Sequence, residues 1–172
     1  MSKHRLIPFV IDFDQTLIFK DSLIESIKSI RLKIFLNAFK IYLLGGSLEL
    51  KKFIFNNGLM KYDLKINKKI FSILKKSNRN IIVSAAYQPY LNIFFRMSLS
   101  KNRIIGSSIL NLKSKSKANY LISRYGFKGF NYIGDSFSDI PVWRSSFQPY
   151  TVRRLFIYKF FVPNIKHADE IK

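Results

Sequence analysis

The chain has 172 residues, 48% of them hydrophobic, which is enough for one domain with a substantial buried core. It contains no cysteine, and this excludes thiol nucleophiles, cysteine-ligated zinc and iron–sulfur clusters. Thirty basic side chains against 10 acidic ones give a formal net charge of +20. This charge favours anionic partners such as phosphorylated metabolites, nucleic acid or acidic lipid.

The first predicted element is the apolar run at residues 6–11, a candidate strand that ends at Asp12. The run is too short for a signal peptide or a membrane span, so we expect a cytoplasmic protein. Short apolar runs then alternate with helical patterns, which is typical of an α/β protein with a Rossmann-like parallel sheet. The later runs predict strands at residues 81–83, 103–105, 132–133 and 150–152.

The segment between the first two strands is about 65 residues long, far more than the dozen or so that a crossover needs. Apolar residues recur there at steps of three and four from Leu23 to Ile41, which predicts a helix with one apolar face. Gly45 and Gly46 interrupt this pattern, and helical patterning resumes after them. We therefore expect a helical cap at residues 19–77, inserted into a core formed by residues 1–18 and 78–172.

Residues 32–44 carry two adjacent apolar stripes, which leave Lys33, Asn37 and Lys40 as a narrow polar face. This pattern is typical of a cap helix packed on most sides, and also of an amphipathic helix that lies in a membrane surface. We favour the packed cap helix and keep peripheral contact with the membrane as the alternative.

Two acidic motifs follow predicted strands. Asp12, Asp14 and Thr16 come after the first strand, and Asp135 and Asp139 come after the fourth. Taken alone, the first motif is also typical of an acidic turn in which the threonine caps a helix. Because sites in open α/β sheets lie beyond the carboxyl ends of the strands, we expect the four carboxylates to converge. Two carboxylates about 4 Å apart repel by about 4 kcal/mol at an effective dielectric near 20, and oxygen-only ligation of the cation that offsets this favours Mg²⁺.

This arrangement resembles the haloacid dehalogenase-like superfamily, whose first motif is Asp-x-Asp-x-Thr and whose last is Gly-Asp-x-x-x-Asp. The superfamily's second motif is a Ser or Thr at the end of strand two, which Ser84 matches. Its third is a helix lysine, for which we choose Lys117, although Lys113 and Lys115 are near enough to compete. Gln15 stands where many members have glycine. A cap inserted after strand one corresponds to the C1 type.

Within the superfamily, the chain is most similar to the phosphatase-like domain fused to UbiA-type prenyltransferases. The likeness is strongest at residues 134–144 and runs from about Pro8 to Arg153. We expect no prenyltransferase activity in this chain, which has no membrane spans in its sequence. A separate prenyltransferase is a candidate partner on which the sequence does not decide.

The resemblance implies a phosphatase that acts through an aspartyl-phosphate, on a small metabolite or a lipid-linked phosphate. A second aspartate in the first motif argues for phosphoryl transfer over dehalogenation. The apolar, basic cap fits a lipid-linked phosphate better than a sugar phosphate. The implied roles are nucleophile for Asp12, general acid and base for Asp14, catalysis and phosphate binding for Lys117, phosphate binding for Thr16 and Ser84, and Mg²⁺ ligation for Asp12, Asp14, Asp135 and Asp139.

Two other classes of function compete with this interpretation. One is a non-catalytic module on the same scaffold that recruits a membrane enzyme or binds an anionic surface. The other is a nucleic-acid-binding protein that uses the positive charge. Aromatic residues make up 16% of the chain, but they lie mostly within apolar periodic runs and no RNA-binding motif is present. We therefore predict that they pack in the core and that nucleic acid is not a partner.

Overall fold

The structure is a computed structural model that describes residues 7–96, 98–100, 103–153 and 156–171. Parts of the predicted core lie outside the described residues, namely residues 1–6, which include Leu6 of the first predicted strand, and residues 97, 101–102, 154–155 and 172. The strands are β1 (Phe9–Ile11), β2 (Ile81–Tyr87), β3 (Ile104–Ser107), β4 (Asn131–Gly134), β5 (Pro149–Thr151) and β6 (Lys166–His167). They form one sheet in the order β3-β2-β1-β4-β5-β6, with every neighbouring pair parallel. The predicted α/β fold with a Rossmann-like sheet is confirmed.

The largest departures from the predicted strands are at β2 and β6. β2 continues four residues past Val83, and its pairing with β3 shifts register between Val83 and Tyr87. β6 was not predicted, because a two-residue edge strand made of a lysine and a histidine carries no apolar pattern.

The helices are α1 (Ser22–Ile27), α2 (Leu32–Asn56), α3 (Lys68–Lys75), α4 (Gln88–Phe94), α5 (Lys115–Tyr125), α6 (Ile140–Ser145) and α7 (Tyr158–Phe161). The helical pattern from Leu23 to Ile41 is divided between α1 and α2. The two glycines interrupt α2, as the pattern predicted. Gly46 has a non-helical φ of 72°, which is accessible to glycine at little cost, and the helix kinks there before it continues.

The prediction that residues 32–44 pack as a buried cap helix is wrong. Only Ala38 is buried in this stretch, and most of the other side chains are exposed. The periodicity of the sequence shows that one stripe of the helix is apolar, but it does not show whether protein, lipid or water covers that stripe. Within the described part of the chain, no helix is both long enough and apolar enough to cross a membrane.

The helical segment between β1 and β2 is closed at its base by backbone pairing. Ile18 and Ile66 form an antiparallel bridge, and the Asn67 amide donates to the Leu17 carbonyl at 2.8 Å. The chain therefore leaves the core before α1 and returns to it after α2 at one point, just beyond β1. α3 follows the bridge and packs Ile70, among other apolar residues, into the cluster that covers one face of the sheet.

β1 lies in the middle of the sheet, with apolar side chains packed on both of its faces. Val10 belongs to the cluster beneath α5 and α6, whereas Ile11 belongs to the cluster beneath α3 and α4. Both side chains are completely buried. Because the chain leaves β1 at Asp12, that residue is placed at the centre of the carboxyl edge of the sheet.

Candidate active site

Three carboxylates meet where β1 and β4 end. Ile11 pairs with Ile133, and the Asp12 amide donates to the Ile133 carbonyl at 3.0 Å, so the residues that follow both strands emerge side by side. Asp12, Asp135 and Asp139 are all buried, and each offers an oxygen within 4.8 Å of the other two. Residues more than a hundred positions apart thus form one acidic pocket.

The Asp14 carboxyl is not a member of this cluster. Its Oδ1 accepts a hydrogen bond from the Ser22 amide at 2.8 Å, at the start of α1. The backbone turns sharply here, since Gln15 has a φ of 55°. The expected convergence of four carboxylates is therefore reduced to three, and metal ligation by Asp14 stays a prediction. Burial, with repulsion from Asp21 added, raises the pKa of Asp14 to about 7.

Lys117 brings a positive charge into the carboxylate cluster. Its side chain lies almost wholly out of solvent, with Nζ 3.0 Å from Asp12 Oδ2 and 3.6 Å from Asp139 Oδ1. Lys113 and Lys115 are exposed, so the geometry favours Lys117 among the three candidate lysines.

The charged groups in this cluster shift one another's pKa values. Burial disfavours the charged form of Lys117, but attraction to Asp12 and Asp139 outweighs it and raises the pKa of the lysine. Burial also raises the pKa of Asp12, and attraction to Lys117 only partly opposes that rise. Lys117 is therefore charged at neutral pH.

Tyr132 links the lysine to the second acidic motif. Its buried hydroxyl accepts from Lys117 Nζ at 3.0 Å and donates to Asp139 Oδ1 at 2.7 Å. The other oxygen of Asp139 accepts from the Asp135 amide at 3.1 Å and the Ser136 amide at 3.2 Å. The sequence pattern predicts Tyr132 only as a strand residue. A hydroxyl two positions before the motif, on the same side of the strand as Gly134, is the signal that could have identified it.

Gly134 leaves the space into which the Asp139 carboxylate fits. A Cβ at this position would lie 2.6 Å from Asp139 Oδ2 and 2.8 Å from both Asp139 Cγ and Tyr132 Cε1. The carboxylate cannot retreat easily, because both of its oxygens are already hydrogen-bonded. The close approach of the Asp139 side chain to the backbone explains why residue 134 is a glycine.

Gly134→Ala is therefore expected to displace Asp139 and to lower the free energy of unfolding by about 1–3 kcal/mol, the usual cost of overpacking a tight interior. Urea denaturation of the two proteins measures this difference. A variant with the wild-type midpoint and slope would contradict the inferred role of the glycine.

One buried oxygen of Asp135 accepts no hydrogen bond from the described residues. This oxygen is Oδ2, and Arg153 Nη2 lies within ion-pair distance of it at 3.2 Å. Burial, together with repulsion from Asp139 and Asp12, raises the pKa of Asp135 to about 7. A buried carboxylate oxygen that accepts no hydrogen bond, beside two other carboxylates, suits a divalent cation with oxygen ligands, so these residues fit Mg²⁺.

The two predicted hydroxyl donors are both buried at the same edge of the sheet. Thr16 Oγ1 has no hydrogen-bond partner within the described ranges. Ser84 Oγ accepts from the Ala86 amide at 3.0 Å, which leaves its own proton available to donate. Ser84 does not end its strand as predicted. Because Ile82 pairs with Ile11, however, Ser84 still lies beyond the carboxyl end of β1.

Lys51 reaches this region from α2. Its Nζ donates to the Ala85 carbonyl at 2.6 Å, next to Ser84 in sequence. Burial lowers the pKa of Lys51, and attraction to Asp14 and Asp21 opposes that shift. The helical segment therefore contributes a lysine near the carboxylates. No sequence signal distinguished this lysine from the many others in the chain.

Comparisons with known proteins support the fold. No family model matches the chain, and no curated protein matches it. Among solved structures, it is similar to a HAD-family hydrolase from Salmonella enterica subsp. enterica serovar Typhi, with a TM-score of 0.61 and 11% identity over 94% of this chain and 69% of that one. The chain has the fold of the haloacid dehalogenase-like (HAD) hydrolases.

Particular phosphatases share this fold with the chain. Apo phosphoserine phosphatase has a TM-score of 0.56 and 14% identity, over 93% of this chain and 92% of that one. A phosphoserine phosphohydrolase-like protein from Francisella tularensis subsp. tularensis has a TM-score of 0.58 and 17% identity, over 97% and 100% of the two chains. At these identities, the likeness is one of fold.

Proposed function

We propose that this protein is a Mg²⁺-dependent phosphomonoester hydrolase that acts through an aspartyl-phosphate intermediate. The observation that carries the proposal is the buried cluster of Asp12, Asp135 and Asp139 with Lys117 inside it. Support also comes from phosphoserine phosphatase solved as a phospho-aspartyl intermediate analogue, which has a TM-score of 0.56 and 16% identity to this chain.

In this proposal Asp12 is the nucleophile. A bond forms between its carboxylate oxygen and phosphorus while the bond from phosphorus to the leaving oxygen breaks. The Phe13 amide donates to Asp12 Oδ1 at 2.8 Å and Lys117 lies at Oδ2, so both oxygens are held in place before substrate arrives.

Asp14 is the proposed general acid and base. It donates a proton to the leaving oxygen, and it later removes a proton from the water that hydrolyses the aspartyl-phosphate. A carboxyl whose pKa is about 7 holds and releases a proton readily near neutral pH. Thr16 and Ser84 each have a buried hydroxyl that is available to donate to the phosphoryl oxygens.

Asp12, Asp135 and Asp139 would hold the Mg²⁺ ion, and ligation by Asp14 is part of the same proposal. When bound, the ion supplies positive charge that stabilises the phosphoryl oxygens. Lys117 supplies a second positive charge next to Asp12 Oδ2. The Tyr132 hydroxyl accepts a hydrogen bond from this lysine and keeps it in position.

The helical segment at residues 19–77 is the proposed cap. The bridge between Ile18 and Ile66 gives the part of this segment before α3 a narrow base, and Lys51 brings its amino group to the edge of the site. Such a segment can select the leaving group and exclude water during transfer. The proposed substrate is a phosphorylated small molecule or a lipid-linked phosphate. A separate prenyltransferase stays a candidate partner.

The proposal is tested by hydrolysis of 4-nitrophenyl phosphate with and without added Mg²⁺. We expect turnover with the metal, loss of turnover on treatment with EDTA, and recovery when excess Mg²⁺ is restored, because three clustered carboxylates carry more negative charge than the buried Lys117 alone offsets. A wider panel of phosphate esters, including prenyl phosphates and phosphoserine, identifies the preferred substrate. No turnover on any ester would contradict the proposal and favour the non-catalytic module.

A further inference from the structure

The first half of α2 presents an apolar surface to solvent. Its six large side chains are between 43% and 74% exposed, and at 100° per residue they span an arc of roughly 120° on the helix. We call this surface the α2 apolar face. It consists of Leu32, Phe35, Leu36, Phe39, Tyr42 and Leu43. Soluble monomers rarely expose contiguous apolar patches of this kind unless the patch binds something.

A second exposed apolar segment lies on the loop that contacts α2 after the kink. Asn111 Nδ2 donates to Ser47 Oγ at 3.0 Å, which holds the loop after β3 beside α2. Ile109 and Leu110 on that loop are 91% and 71% exposed. An apolar groove of about 210 Å³ also opens between α1 and α2. Two separate segments of the chain thus present apolar side chains in one region.

Positive charge flanks this surface. Lys33 and Lys40 lie next to the arc of apolar side chains on the helix, and both are exposed. Residues 26–48 contain four basic side chains and no acidic one. The combination of a broad apolar arc with lysines at its border is typical of helices that lie in the interface of an anionic bilayer.

We propose that the α2 apolar face docks on the surface of an anionic lipid bilayer, with the first half of α2 lying in the plane of the membrane. Charge complementarity favours a bilayer over a second copy of the chain as the occupant. Two copies that paired through this face would bring together their lysines, and each copy carries a net charge of +20. This inference does not depend on the proposed phosphatase activity.

The test is co-sedimentation of the full chain with two kinds of vesicle, phosphatidylcholine alone and phosphatidylcholine with phosphatidylglycerol. We expect binding to the anionic vesicles only. The double variant Leu36→Asp/Phe39→Asp should lower the partition coefficient by at least about tenfold, because it removes two inserted apolar side chains. Lys33→Gln/Lys40→Gln should also lower it by about tenfold, through lost attraction to the lipid headgroups.

A matched control separates insertion from the effect of net charge alone. Phe127→Asp/Phe147→Asp makes the same change of charge at two exposed aromatic residues outside the α2 apolar face, and it should leave binding unchanged. Equal loss of binding in both aspartate variants would overturn the proposal, as would absence of binding by the wild type. A concentration-dependent dimer that forms without lipid and is lost in Leu36→Asp/Phe39→Asp would assign the face to self-association instead. Circular dichroism melts confirm that each variant is folded.

Discussion

Asp12→Asn is expected to lower kcat for phosphate ester hydrolysis by at least about 10³-fold, the scale seen when the nucleophile of a covalent mechanism is removed. An amide has almost the same shape as a carboxylate, so the variant fills the same space, although its single oxygen can accept from the Phe13 amide or from Lys117 but not from both. It loses the negative oxygen that attacks phosphorus. Initial rates with saturating 4-nitrophenyl phosphate and Mg²⁺ measure the effect.

The control for this variant is Asp63→Asn, which makes the same chemical change at an exposed aspartate before α3. It should retain the wild-type rate. Intact-mass measurement of acid-quenched reactions gives a second readout, because the phosphorylated protein should form in the wild type and not in Asp12→Asn. Turnover within tenfold of wild type, or a phosphorylated Asp12→Asn protein, would contradict the assignment of the nucleophile.

The sequence predicted the centre of the site because the site depends on strand ends. Asp12 and Asp135 each follow an apolar run, and parallel pairing of β1 with β4 is enough to bring them together. Lys117 could be chosen as the helix lysine because it precedes the last acidic motif and opens a helical pattern, although Lys113 and Lys115 also fitted. Its burial against Asp12 is a tertiary property that the sequence pattern does not contain.

Other features of the site depend on tertiary packing, and no pattern in the sequence predicts them. Tyr132 and Lys51 reach the site from a strand and a helix whose patterns only predict secondary structure. Asp14 was expected to converge with Asp12, but its carboxylate accepts a hydrogen bond from the Ser22 amide at the start of α1 instead. The exposure of residues 32–44 was also missed, because an apolar stripe has the same period whether protein, lipid or water covers it.

Lys117→Met is expected to lower the free energy of unfolding by about 3–5 kcal/mol at neutral pH without Mg²⁺, because it leaves buried carboxylates without their cation. Methionine fills a similar volume, so the loss reports mainly the charge and the hydrogen bond to Tyr132. The folded pKa of Lys117 is raised above its ordinary value of 10.5, so its stabilisation is fully present at neutral pH and is lost only as pH rises through the folded pKa.

Urea denaturation of Lys117→Met should be compared with that of Lys115→Met, which removes an exposed lysine two residues earlier on α5 and should change stability by less than about 0.5 kcal/mol. The rate of phosphate ester hydrolysis should fall by about 10²–10³-fold in Lys117→Met only, since only that lysine is placed to stabilise the phosphoryl group. If both variants were equally stable, the buried cation would not be what holds the carboxylates together. If Lys117→Met were destabilised but fully active when folded, the lysine would be structural and the phosphoryl group would be stabilised by other residues.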